Sequence, residues 1–260
     1  MSPNLTCITP STIAPLYEKT NYAFLFAPQF HKGMRYVAPI RKELGWRTIF
    51  NLLGPLANPL DEMIEARLIG VARRDLGGTF ADALRIGGAR KALVVCGEEE
   101  LDEVSCAGKT LCWMLDDGAG GTGVNTEVKI NAFTVEPADF GLPAHPLSEV
   151  SPGKEPAQNA EILMRILRGE MENDAPLIHF VLMNTAALLV ASGICESETS
   201  NMGPGDDGKV VKERGPGGQR WKEGVRRARW AIESGAAWEE WKKFVAATNS
   251  VELSAENARA

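Results

Sequence analysis

The sequence has no excess of positive charge. Its 28 lysines and arginines stand against 34 aspartates and glutamates, for a net charge of −6 and a pI near 5.3. No general basic field is available to hold nucleic acid or an anionic membrane, so an anionic ligand needs a local site. Histidine is scarce, and His31, His145 and His179 have no partner at metal-ligand spacing, so each reads as structural. The five cysteines (Cys7, Cys96, Cys106, Cys112, Cys195) are an odd set without close pairs, which excludes zinc-ribbon and CxxC redox chemistry and reads as reduced, mostly buried thiols. The N-terminus MSPNLTCITP lacks the basic and apolar regions of a secretory signal, so the cytoplasm is the expected compartment. The longest apolar run, Leu177 to Cys195, carries His179, Asn184, Thr185 and Ser192 between acidic flanks, the pattern of a buried core helix and not of a membrane span. No Ser/His/Asp arrangement follows from spacing, and no nucleophile or general base is assigned.

What is present is a globular composition, 44% hydrophobic and 24% charged over 260 residues. Thr9 and Pro10 open a short helix ending near Asn21. Tyr22 to Pro28 reads as a strand or a tight connection. Lys32 to Leu44 reads as a helix kinked at Pro39 and stopped by Gly45. ARLIGVA, FADALRIGG and KALVVCG then alternate as strand, helix and strand, a βαβ unit whose sites lie beyond the C-terminal strand ends. KTLCWMLDD and TEVKINAFTV are two further strand-like runs joined by DGAGGTGVN, a hairpin or sheet extension. From Pro156 the pattern is helical in three runs: AQNAEILMRILRG, PLIHFVLMNTAALLVASG and RWKEGVRRARWAIESGAAWEEWKKFVAATN. The domain reading is a short N-terminal segment and connection over residues 1–23 and an α/β domain over 24–250. Within that domain lies a mobile Gly/Asp/Lys-rich insertion at 196–219, and residues 251–260 form a tail.

GAGGTG (Gly118 to Gly123) satisfies the dinucleotide pattern but is followed by β-rich VNTEVKINAFTV, so its glycines read as a turn. Gly203 to Gly208 and Gly215 to Gly218 lack the Lys-Ser/Thr ending of a P-loop and read as loop. Trp221, Trp230, Trp238 and Trp241 recur at helical spacing as packing residues. Two clusters carry more. Glu98, Glu99, Glu100, Asp102 and Glu103 begin just past a parallel strand, where adjacent carboxylates can hold a divalent cation against phosphates, although a charge run is also an ordinary solvated loop. Arg35, Arg41, Lys42 and Arg47 form a basic segment that reads either as a solvated helix face or as a guanidinium fork for a carboxylate.

The run FLFAPQFHKGMRYVAPIRKELGWRTIFNLLGPLANP (Phe24 to Pro59) closely resembles the signature region of the anthranilate phosphoribosyltransferases, and GEEELDEVS, EPADFGLP, NAEILMRILRG and VLMNTAALLVASG extend the resemblance over nearly all of residues 8 to 245. It implies a nucleoside phosphorylase/phosphoribosyltransferase-like α/β catalytic domain with a mostly parallel central sheet flanked by helices, N-terminally truncated. The upstream helical domain and GTGGD phosphate loop of full-length members have no counterpart in this sequence. It also implies transfer of the phosphoribosyl group of phosphoribosyl pyrophosphate to anthranilate, in tryptophan biosynthesis, with Mg²⁺ on the pyrophosphate. Arg41 then corresponds to the carboxylate-binding residue, His31, Met34, Asn51, Gly54 and Pro55 to the walls of the anthranilate site, and Asp102 with Glu103 to the Mg²⁺ pair. The partners implied are the two small-molecule substrates and, in the family, a second copy of the chain. The missing upstream loop leaves a second expectation open, a non-catalytic fragment that keeps a ligand-binding or interaction surface.

Overall fold

In the computed structural model, residues 2–46, 48–58, 60, 63–116, 128–150, 153 and 155–250 are described. The GAGGTG turn and the tail at 251–260 lie outside them. The chain divides into two units, Met1–Asp61 with Gly235–Ala260, and Glu62–Ser234.

In the second unit, β1 (Arg67–Gly70), α5 (Gly77–Ile86) and β2 (Ala92–Gly97) form the expected βαβ unit, with β1 and β2 parallel. All six β2 residues are buried, as a strand covered on both faces must be. β3 (Thr110–Asp116) runs antiparallel to β2, and β4 (Lys129–Val135) antiparallel to β3, in the order β1-β2-β3-β4. The α/β class and the flanking helices are as expected, but among the described residues the parallel part is confined to β1–β2. A parallel return after β2 needs a crossover of helix length, and the segment between Gly97 and Thr110 contains no helix.

α6 (Pro156–Leu167), α7 (Pro176–Ser192) and α8 (Trp221–Glu233) complete this unit. The apolar run is core: Leu182, Met183, Ala186, Ala187 and Val190 of α7 join Leu93, Val95 and Met114 of the sheet and Trp221, Val225 and Ala228 of α8 in one cluster. Among the described residues no helix is long and apolar enough to cross a membrane. The five cysteines are buried and free, and burial pushes the Cys195 thiol up to about 12, so these sulfurs are inert.

Charged side chains of the segment 196–219 pair with one another and with α8. Arg214 grips Glu196 with both Nη atoms, Arg220 and Lys212 share Glu198, and Asp206 accepts from the Ser200 hydroxyl (2.6 Å), the Met202 amide (2.8 Å) and Arg226 (3.1 Å). These charged residues supply the order that an apolar face supplies elsewhere. The Ser200 hydroxyl and the Met202 amide, followed by Arg226, hold the Asp206 carboxyl down at about 2.

His145 and His179 are structural and face each other, with His145 Nε2 2.8 Å from His179 Nδ1. Burial, followed by the charges of His145 and Arg229, lowers the His179 pKa. The folded chain therefore binds this proton more weakly than the unfolded chain. The stability present above the ordinary histidine pKa of about 6.5 is lost as the pH falls below it. Thermal melts between pH 7.5 and 5 are expected to show a falling Tm, with a shallower slope in His179→Asn.

In the first unit, α1 (Ile13–Tyr17), α2 (Ala27–Phe30), α3 (Met34–Leu44) and α4 (Ile49–Leu56) accompany α9 (Ala236–Thr248). Cys7, Ile8, Ile13 and Leu16 pack with Phe244 and Ala247, and the Tyr22 ring meets Phe244 edge-on at 4.9 Å. The boundary expected at residues 23 and 24 does not coincide with this division. α9 supplies the apolar partner of the N-terminal segment, and the last helical run breaks at Gly235 (φ +77°), where a side chain would be strained.

Candidate active site

The basic segment is built on α3. Arg41 and Lys42 lie in its last turn, where positive charge complements the helix dipole, and Gly45 closes it in the left-handed conformation (φ 64°) with its N–H on the Arg41 carbonyl. α4 follows almost at once. Its N-terminus is capped by Asn51, whose Oδ1 accepts the Thr48 backbone N–H at 2.8 Å. α3 and α4 both lack buried residues, and with α2 they line a half-open cavity of about 790 Å³. Its apolar lining includes Met34, Ala38, Phe50, Leu53 and Ala57, and its polar lining includes Gln29, His31, Lys32, Arg35 and Arg41.

Four of the six expected anthranilate-site residues, His31, Met34, Arg41 and Gly54, line this cavity. Asn51 does not. It lines a smaller neighbouring cavity of about 490 Å³ together with Arg41, Lys42 and Trp46, and its Oδ1 accepts Arg41 Nη2 at 3.2 Å. Pro55 is an exposed residue inside α4 and lines neither of the two. The Arg41 guanidinium carbon stands 5.8 Å from the Phe50 ring centroid, a cation–π contact that leaves the planar edge available to a carboxylate. Gln29, in α2, and Lys32, in the turn that follows it, also line the cavity, and neither belongs to a motif legible in the sequence.

Asp102 and Glu103 belong to the second unit, on the loop that leaves β2. That loop is tightly organised. Gly97 N–H donates to the Leu101 carbonyl (2.7 Å), Ser105 Oγ to Glu99 (2.5 Å), and Glu100 sits at φ 63°, a strained value for a residue with a side chain. Gly70, the last residue of β1, lies so close that a Cβ there would collide with the Asp102 carbonyl oxygen. The acidic pair thus stands at the C-terminal ends of both parallel strands, where sites in α/β sheets form. From α7, Asn184 clamps the following residue: Val104 N–H donates to its Oδ1 (2.9 Å), and its Nδ2 donates to the Val104 carbonyl (3.1 Å).

The pair suits a hard divalent cation. Both side chains offer carboxylate oxygens, and the Glu103 pKa is raised by burial and then by the charge of Asp102, a repulsion that a cation would relieve. Among the described residues no group of three or more His, Cys, Asp or Glu is arranged as a complete metal cage. One or two carboxylates with phosphate oxygens and water are the usual Mg²⁺ set.

Comparison with known proteins sets this geometry in a family. Anthranilate phosphoribosyltransferase of Schizosaccharomyces pombe is 40% identical over 241 residues, which cover 93% of this chain and 58% of that protein. The Parvibaculum lavamentivorans enzyme of the same name is 36% identical over 242 residues, covering 93% and 60%. Among solved structures, anthranilate phosphoribosyltransferase from Saccharomyces cerevisiae in complex with PRPP and Mg superposes with a TM-score of 0.77 at 32% identity, over 96% of this chain and 60% of that one. The chain thus spans about 60% of the length of these relatives. The profile of the glycosyl transferase family, a/b domain, matches residues 4–238, and the chain belongs to that family.

Proposed function

We propose that this chain takes part in transfer of the phosphoribosyl group from phosphoribosyl pyrophosphate to the amine of anthranilate, the reaction of tryptophan biosynthesis that gives its relatives their name. The observation that carries the reading is Arg41 at the wall of the apolar 790 Å³ cavity. Anthranilate is a flat aromatic ring with one carboxylate, so its recognition calls for apolar walls and a planar cation, and the cavity offers both. Arg41 fixes the carboxylate through two parallel hydrogen bonds, while Met34, Phe50 and Leu53 offer apolar surface to the ring.

In the reaction the C1–oxygen bond to pyrophosphate breaks, the anthranilate nitrogen bonds to C1, and the amine loses a proton. The transition state at an anomeric carbon is oxocarbenium-like, so positioning and stabilisation of the departing charge dominate over a strong base. Asp102 and Glu103 would hold Mg²⁺, which when bound neutralises charge on the leaving pyrophosphate. Both substrates are small polar metabolites, and we place the reaction in the cytoplasm. A homodimer is part of the same proposal.

Two titrations test the reading. Anthranilate, followed by its own fluorescence, is expected to bind the purified chain, and Mg²⁺ is expected to strengthen binding of phosphoribosyl pyrophosphate. Asp102→Asn keeps the shape and removes a charge. It should raise the Mg²⁺ concentration giving half of that effect by about tenfold, the ratio that corresponds to one weakened charge contact. Failure of a folded sample to bind either compound would contradict the proposal and favour a non-catalytic role.

A further inference from the structure

The arrangement around Arg41 points to a role for Asn51 other than contact with substrate. Its Oδ1 is shared by three donors: the Thr48 N–H at 2.8 Å, the Thr48 hydroxyl at 3.4 Å and Arg41 Nη2 at 3.2 Å. Two firm donors on one atom identify it as the carbonyl oxygen of the amide, because the NH₂ group cannot accept. The Thr48 bond ties that oxygen to the first turn of α4, and its bond to Arg41 therefore ties the guanidinium to the same helix end. Phe50, the preceding residue, presents its ring to the guanidinium. Asn51 lines only the smaller cavity, whereas Arg41 lines both. A residue that bonds Arg41 without lining the main cavity can set the orientation of the fork without touching what the fork binds.

We infer that Asn51 is a positioning residue for carboxylate recognition. It acts as a neutral acceptor that holds one Nη of Arg41 and leaves the cation's full charge for the ligand. The inference rests on the proposed reading of Arg41. The neutrality of the amide is its specific content. An aspartate at this position would cap α4 equally well and hold Arg41 more tightly, but it would cancel the charge the ligand carboxylate needs.

That difference separates positioning from a merely structural cap. The experiment measures binding of anthranilate and of the neutral analogue 2-aminobenzamide to the full chain and to Asn51→Ala, Asn51→Asp and Arg41→Ala, with a thermal melt of each. Asn51→Ala is expected to weaken anthranilate by about tenfold, the size of one lost hydrogen bond to a charged group, with little change for the amide. Asn51→Asp is expected to melt at or above the parent temperature and still bind anthranilate at least about tenfold more weakly. Wild-type affinity in Asn51→Asp, or in a folded Asn51→Ala, would overturn the inference while Arg41→Ala still abolished binding. If Arg41→Ala bound anthranilate as the parent does, the reading of Arg41 would itself fail, and the inference with it.

Discussion

Replacing Arg41 with alanine is expected to lower kcat/KM for anthranilate by about 10- to 100-fold, the range for losing one hydrogen-bonding partner of a charged group. The effect should fall on KM and kcat together, because the carboxylate is ortho to the reacting amine, so that losing Arg41 loosens both the binding of the ring and the aim of its nitrogen at C1. Stability should hardly move. Among the described residues the Arg41 side chain bonds only the exposed Asn51 side chain and touches the Phe50 ring, and α3 buries none of its residues. Arg41→Lys should recover only part of the loss, since an ammonium keeps the charge but not the two-pronged fork or the flat face over Phe50. Steady-state kinetics of the three proteins, with circular dichroism to show equal folding, checks each statement. An unchanged KM in Arg41→Ala would remove the carboxylate clamp from the account.

The largest loss of stability is expected at Glu223. Its side chain is 0% exposed and accepts Arg226 Nη2 (2.7 Å) and Arg227 Nε (2.7 Å) on one oxygen, and Arg226 Nε (2.8 Å) and the Val211 amide (2.8 Å) on the other. Burial pushes the Glu223 carboxyl up, but the hydrogen bond from Arg226, the Val211 amide and the two cations outweigh it, and the pKa lies below the usual glutamate value. Glu223→Ala would leave Arg227, itself 7% exposed and with Nη2 already lacking a partner, as an uncompensated buried cation. Breaking such a pair costs about 3–5 kcal/mol, a large share of a stability of about 5–15 kcal/mol. For a chain of this length that is a fall in Tm of about 6–20 °C. Replacing Glu223 and Arg227 together with apolar residues of similar size should restore part of it, because the desolvation of Arg227 disappears with the pair while Arg226 keeps Asp206 and the Val211 amide stays without its acceptor. Cleavage by a protease within 196–219 should quicken in Glu223→Ala, since Val211 loses its anchor. A Glu223→Ala Tm within 2 °C of the parent would show that solvent reaches the network.

The same residue shows where reading from sequence stops. In RWKEGVRRARW, Glu223 with Arg226 and Arg227 has the spacing of a solvated, salt-bridged helix face, yet the fold buries all but Arg226. The glycines and charges of 196–219 read as mobility for the same reason: composition counts charged residues but does not pair them, and here Glu198 pairs with Arg220 and Asp206 with Arg226. Local periodicity did carry β1–α5–β2, the β3–β4 hairpin and the buried α7, because each rests on contacts near in sequence. It could not carry the Asn4 amide reaching Thr248 Oγ1, 244 residues away. Asn184 was visible as a lone amide in an apolar run, but only the fold shows that it clamps Val104 beside the acidic pair. Arg41, Asp102 and Glu103 stood out through a family resemblance. Spacing alone left each as readily a solvated charge.

The measurement that bears most directly on the central claim is the loss of anthranilate fluorescence when the purified chain is mixed with phosphoribosyl pyrophosphate and Mg²⁺, beside Arg41→Ala and Asp102→Ala. The account predicts turnover in the parent and its loss in both variants. No turnover in a folded parent, or turnover indifferent to Arg41→Ala, would contradict it.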